Sequence, residues 1–131
     1  MPATMDPALL EKIEREAQTT PISKVAAFLQ EKLGQKVTAY LSGLKDPKEV
    51  GAWAAGAVKP RFEAEMRLRY GYQAARLIIQ AYAEETAKSW FFGTNTRLND
   101  EAPAFLLRNA KTPEDFRFVI PAARAFAGWS E

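Results

Sequence analysis

The residues able to do chemistry are few and of narrow type. Neither histidine nor cysteine occurs among the 131 residues, which leaves no imidazole base, no thiolate nucleophile and no Cys/His metal site. Glu84-Glu85 and Asp100-Glu101 are adjacent carboxylates. Sequence neighbours point to different faces of a helix, so these pairs read as solvated caps and not as an acid and a base. The expectation is a protein that is not an enzyme and carries no cofactor or metal. What the chain does offer is binding chemistry: cations around one turn, and aromatic and arginine side chains towards its end.

The densest signal is TAYLSGLKDPKEVGAWAAG, residues 38–56. Ala39 followed four residues later by Gly43 is the core of a helix-turn-helix. The small side chain lets two helices approach, and glycine accepts the positive φ of the turn. Asp46 is expected to cap the second helix, Glu49 to complete a capping box, and Val50 and Trp53 to point inward. The apolar pair falls one residue later than in repressor-type motifs, which implies a turn longer by one. Lys45 and Lys48 could reach base edges from the first turn of that helix, and Lys59 and Arg61 could reach phosphates. Eight basic residues (Lys36, Lys45, Lys48, Lys59, Arg61, Arg67, Arg69, Arg76) face four acids in this region, whereas the whole chain is only +2. Positive charge therefore concentrates around the motif, as phosphate binding requires. Against this, Gly51, Ala52, Ala54 and Ala55 have no side-chain donor or acceptor for a base edge. The same helix pair also occurs as a purely structural unit, so both readings stand.

A second unit follows in residues 88–128. Trp90, Phe91 and Phe92 precede Gly93, and Asn95, Leu98, Pro103 and Leu107 follow at intervals suited to a short helix, a loop and another helix. Asn95 can bond its neighbours' backbone and Leu98 can anchor the loop on the core. A clamped structural loop is the natural reading of this stretch. The last helix carries Phe116, Val119, Ile120, Ala123, Phe126 and Ala127 on a broad face, with Pro121 expected to bend it. Phe118, Arg124 and Trp129 fall outside that face. They are residue types enriched at interaction hot spots, although Trp129 could equally fold back on the core.

The elements that must hold these groups are helices. Ala, Leu, Glu, Lys, Gln and Arg fill the spaces between Gly and Pro, and apolar runs do not alternate. Asp6-Pro7, Thr20-Pro21, Asp46-Pro47 and Thr112-Pro113 each place a capping side chain before a proline at the first helical position. Gly34, Gly43, Gly56, Gly93 and Gly128 sit where left-handed stops are expected. These signals predict helices near 7–18, 21–33, 36–42, 47–55, 60–83, 86–92, 102–109 and 113–127. Helix 60–83 is apolar on two faces, one of Phe62, Met66, Tyr70, Gln73, Leu77 and Ala81, the other of Leu68, Tyr72, Ala75, Ile79 and Tyr82. Such a helix is either central to its domain or shared with a partner. With 47% hydrophobic residues the chain can bury one sizeable core. No run approaches the ~18 apolar residues of a membrane span, and no signal-peptide core is seen. A cytoplasmic protein without membrane contact is the expectation.

Taken together, Val25, Leu29, Gly34, Ala39, Gly43, Asp46, Val50, Trp53 and Gly56, followed by Trp90, Phe91, Gly93, Asn95, Leu98, Pro103 and Leu107, resemble the Xre/MbcA/ParS-like antitoxins. The resemblance implies an all-α chain with a helical extension (1–20), an Xre-like helix-turn-helix bundle (21–84) and a small helical toxin-binding domain (85–131). It implies an antitoxin of a bacterial type II pair that occludes the active site of a RES-domain toxin which depletes NAD, and that also represses its own operon. Arg117, Ile120, Arg124, Phe126 and Trp129 would then lie against the toxin. The implied partners are the cognate toxin, operator DNA and further copies, as a homodimer or a hetero-oligomer. The alternative reading is a stand-alone helix-turn-helix regulator whose C-terminal unit dimerises.

Overall fold

A computed structural model describes residues 6–128, and among them every regular element is helical. In chain order these are α1 (Pro7–Thr19), α2 (Ile22–Leu33), α3 (Gln35–Ser42), α4 (Lys48–Ala54), α5 (Phe62–Ala81), α6 (Glu84–Phe92), a 3-10 turn (Thr96–Leu98), α7 (Pro103–Asn109), α8 (Pro113–Arg117) and α9 (Val119–Phe126). The fold is all-α.

Local chemistry explains most boundaries. Asp6 Oδ1 accepts from the Ala8 N–H at 3.0 Å with Pro7 opening α1, and Thr112 forms a reciprocal capping box with Asp115 ahead of Pro113. At the other two sites the proline itself is the cap, and the helix starts one residue later than expected. Pro21 precedes α2 and Pro47 precedes α4, neither helix having a side-chain cap bond. Asp46 instead accepts from the Lys48 N–H at 3.0 Å, and Glu49 closes no box. With the cap at Pro47, the third helical position belongs to Val50, which is apolar and fully buried. Gly93 also departs from expectation: its φ is −82°, so α6 stops without a left-handed residue and the chain leaves extended.

The expected C-terminal helix is two helices. Arg117 ends α8, Phe118 joins, and α9 starts at Val119. Pro121 is the cause, since it has no N–H to give the Arg117 carbonyl and the ladder breaks there. Placed in the first turn of α9, the proline costs that helix nothing.

One hydrophobic cluster runs from Ile13 in α1 to Ala127 behind α9, with α5 through its middle. Leu68, Tyr72, Ala74, Ala75, Leu77 and Ile78 of α5 are all buried. The central reading of this helix therefore holds along most of its length. It fails at the start, where Phe62 is 73% exposed although Ala64 in the same turn is buried.

Three α5 arginines tie the other helices to this axis. Arg67, itself buried, donates from Nε to Leu107 O (2.9 Å), from Nη2 to Ala110 O (2.8 Å) and from Nη1 to Ser42 O (3.3 Å). Arg69 bonds Glu65 and the carbonyls of Ala17 and Thr20, and Arg76 meets Glu16 at 2.6 Å. These three cations were counted with the positive surface in the sequence reading. They belong to the framework between helices instead: Arg67 and Arg69 satisfy carbonyls that helix ends leave orphaned, and Arg76 pairs with the Glu16 carboxylate.

Candidate functional site

The first candidate surface is built on α3, the following turn and α4. Gly43 is left-handed (φ 95°, ψ 9°), and the Leu44 N–H returns to Ala39 O at 2.9 Å, closing a Schellman-type end. A Cβ on Gly43 would lie 2.8 Å from Arg67 Nη1, so a larger residue would have to displace that guanidinium nitrogen in addition to straining φ. Ala39 is buried at the junction, and Val50 and Trp53 face inward, holding α4 against α2. A second arginine fastens the same turn: Arg108 of α7 bonds Tyr40 O (2.8 Å) and Leu44 O (3.0 Å) and lies 4.7 Å over the Tyr40 ring.

Lys45, Lys48, Lys59 and Arg61 are all exposed around this pair, and among the described residues none joins an ion pair. Lys45 and Lys48 stand at the front of α4. Lys59 and Arg61 stand behind it, on the wall of a groove of about 490 Å³ between α4 and the start of α5. Glu49 and Glu63 share that wall, and Trp53 lines it with an indole N–H that finds no acceptor. The positive field is thus narrower than charge counting suggested, and it is interrupted by carboxylates.

The second candidate surface lies on the C-terminal helices. Trp90 is buried with Phe91 edge-on at 5.1 Å and Phe126 at 6.4 Å. After Gly93, Asn95 Oδ1 accepts from the Arg97 N–H at 3.0 Å and Leu98 buries itself, so the 3-10 turn is capped and anchored. Asn99 and Asp100 both have positive φ (56° and 65°) before the buried Pro103 opens α7. The carboxylate pairs do no joint work: Glu84 bonds Lys32 at 2.7 Å, and Asp100 and Glu101 are exposed on the loop.

The expected toxin-facing residues do not form one patch. Arg117 is exposed on α8 and reaches Glu114 at 3.8 Å. Ile120 and Arg124, half-buried, line a hollow of about 280 Å³ between α9, α5 and α1, opposite Glu11 and Glu14. Phe126 lies on another side of α9, 40% exposed, with Tyr82 at 5.1 Å and the Thr94–Arg97 segment beside it. Trp129 lies outside the described residues. Phe118, 59% exposed, borders a further hollow of about 300 Å³ with Arg97, Leu106 and Asp115. Phe62, Phe92 and Phe105 are exposed aromatics that sequence patterning did not single out as surface. The missing signal was position: Phe62 starts its helix and Phe92 ends one, where periodicity no longer implies a covering layer.

Among the described residues, no group of three or more acidic side chains could hold a metal ion, and no helix is long and apolar enough to cross a membrane. The chain matches no protein-family model, no curated protein and no solved structure.

Proposed function

We propose that the chain is a binding protein that works by occlusion, the antitoxin of a type II pair, and that it also binds its operator DNA. The supporting observation is the division of the surface between two chemistries on one core. Unpaired lysines stand around a glycine-turned helix pair of helix-turn-helix type, while exposed aromatics (Phe105, Phe118, Phe126) stand on the C-terminal helices. The sequence resemblance adds the identity of the partner, a RES-domain enzyme that consumes NAD.

In this reading the C-terminal helices cover the mouth of the toxin's active site. A stable complex needs roughly 800 Å² buried on each side, with a few aromatic and arginine anchors carrying most of the energy. Phe118, Ile120 and Phe126, with Arg117 nearby, supply such anchors on more than one side of α8 and α9. On the other surface, Lys45 and Lys48 neutralise phosphates. Base-edge contacts from α4 are few, because its middle is Gly51 and Ala52.

The test uses point substitutions. Removing residues 117–131 would also strip the buried Val119, Ala122 and Ala123 from the core. Purified chain should suppress NAD consumption by the RES-domain enzyme encoded beside it, and Phe118→Glu with Phe126→Glu should release the enzyme. Undiminished NAD consumption with wild-type chain overturns the antitoxin reading. Operator binding is read separately: Lys45→Ala with Lys48→Ala should lower the log–log salt slope by about 0.9 per lost phosphate contact and leave inhibition intact. An unchanged slope removes this face as the DNA surface. DNA binding without inhibition leaves the stand-alone regulator.

A further inference from the structure

We infer that the groove between α4 and the start of α5 is a binding site for a small organic carboxylate that also carries a hydrogen-bond donor, of the amino-acid or hydroxy-acid class. The most buried cation on its lining is Arg67. It is 9% exposed and among the described residues joins no ion pair, although a cation withdrawn from water is normally matched by a counter-charge. Each of its nitrogens spends one N–H on a carbonyl, so Nη1 and Nη2 each keep a second. The Nη1 bond to Ser42 O is the longest of the three, at 3.3 Å. Gly43 lines the groove beside it, and a Cβ there would lie 2.8 Å from Nη1, so the glycine leaves that nitrogen uncovered. Trp53 supplies an independent sign. It lines the same groove, is 2% exposed, and its indole N–H finds no acceptor among the described residues. A sheltered donor without a partner calls for a reason, and an oxygen brought by a ligand supplies one.

The charges define the ligand. Lys59 and Arg61 join Arg67 on the lining, against Glu49 and Glu63, so cations exceed carboxylates by one. Among the described residues none of these five side chains forms an ion pair with another. The cations attract a carboxylate, most strongly beside Arg67, where water is excluded. The two glutamates accept an ammonium or hydroxyl hydrogen from the same molecule. They also repel a continuous polyanion, which separates this site from a phosphate-backbone contact. Lys45 and Lys48 do not line the groove. Its volume of about 490 Å³ is that of a small-molecule site. The site stands on its own geometry and does not depend on the toxin or DNA reading.

Titration of the isotope-labelled full chain, followed by amide and indole N–H resonances, tests the site with three probes: L-glutamate, glutarate and inorganic phosphate. Glutarate keeps both carboxylates of glutamate and lacks its ammonium. L-glutamate should shift the Trp53 indole and Gly43 amide signals saturably and leave the Trp90 indole in place, with the roughly millimolar or tighter affinity expected of about ten heavy atoms. Glutarate and phosphate should bind more weakly. Lys59→Ala with Arg61→Ala, both exposed and outside the core, should weaken glutamate about fivefold. Glu49→Gln with Glu63→Gln should erase the preference for glutamate over glutarate. No saturable shift at Trp53 and Gly43, or a preference that survives the double glutamine variant, overturns the proposal. Phosphate binding as well as glutamate, with no response to loss of Lys59 and Arg61, shows an adventitious anion only and overturns it too.

Discussion

Arg67 is the residue whose role was least legible. In the sequence it is one of eight cations around a turn; in the fold it is buried and grips three carbonyls from two helix ends. Sequence patterning assigns charge to the surface by default, and only the packing of α3 and α7 against α5 reveals the exception. Burial pushes its guanidinium pKa down, with Arg108 adding to the effect and Glu63 opposing it, yet arginine stays charged at any physiological pH. Replacing it by Met strands these acceptors. At roughly 1.5–3 kcal/mol for a hydrogen bond to a charged group, and with incomplete additivity, Arg67→Met should cost about 3 kcal/mol in urea unfolding. Arg67→Lys should recover little, because a point ammonium cannot span carbonyls arranged for a planar fork. A Met variant within ~0.5 kcal/mol of wild type, the range of an ordinary surface change, would contradict the clamp. Gly43, by contrast, was readable from sequence, because its turn demands a conformation that few other residues adopt.

At the level of elements, punctuation carried the prediction. Prolines, capping side chains and glycines marked nearly every helix within a residue or two. The errors fell where proline took the capping position itself and where Pro121 cut one helix into two. The spacing of Leu9, Ile13 and Ala17 in α1 fits a helix but could not show what fastens it. The answer is Ile13 in the core, together with Glu16 and the α1 end carbonyls bound by Arg76 and Arg69. The Arg76 hydrogen bond holds the Glu16 carboxyl below the ordinary carboxylate range, against burial and with help from the charges of Arg76, Lys12 and Arg15. A group whose folded pKa is depressed contributes fully above its unfolded pKa, and that contribution disappears as pH falls through the folded value. Glu16→Gln should therefore lower the thermal midpoint at neutral pH and lie closer to wild type in acid, below the usual carboxylate pKa. Parallel curves across that window would show that the ion pair does not stabilise the fold.

For the molecule as a whole, composition was enough to give an all-α chain with one sizeable core. It was not enough to give the arrangement, which depends on contacts between residues forty or more apart, such as Arg108 with Tyr40. The candidate surfaces were legible to the same degree: the cations near the turn are exposed around α3 and α4, while the residues expected on one C-terminal face are distributed over several. The shared core makes a specific demand on unfolding. Trp53 and Trp90 are both buried, one beside the glycine turn and the other among the C-terminal helices. Single-tryptophan variants reporting from Trp53 or from Trp90 should give superimposable urea transitions, coincident with loss of helix. Separated midpoints would mean that the two ends of the chain unfold independently.

The guanidinium of Arg67 touches only main-chain oxygens at positions 42, 107 and 110. Those oxygens belong to the backbone, so any substitution that the buried packing at the three positions tolerates leaves the held oxygen in place. Core packing constrains those side chains, but the arginine's bonds do not, so no correlated pair of substitutions would record the contact. The joint that ties the end of α3 to the end of α7 is thus one that evolutionary covariation is blind to, and that has to be found by geometry.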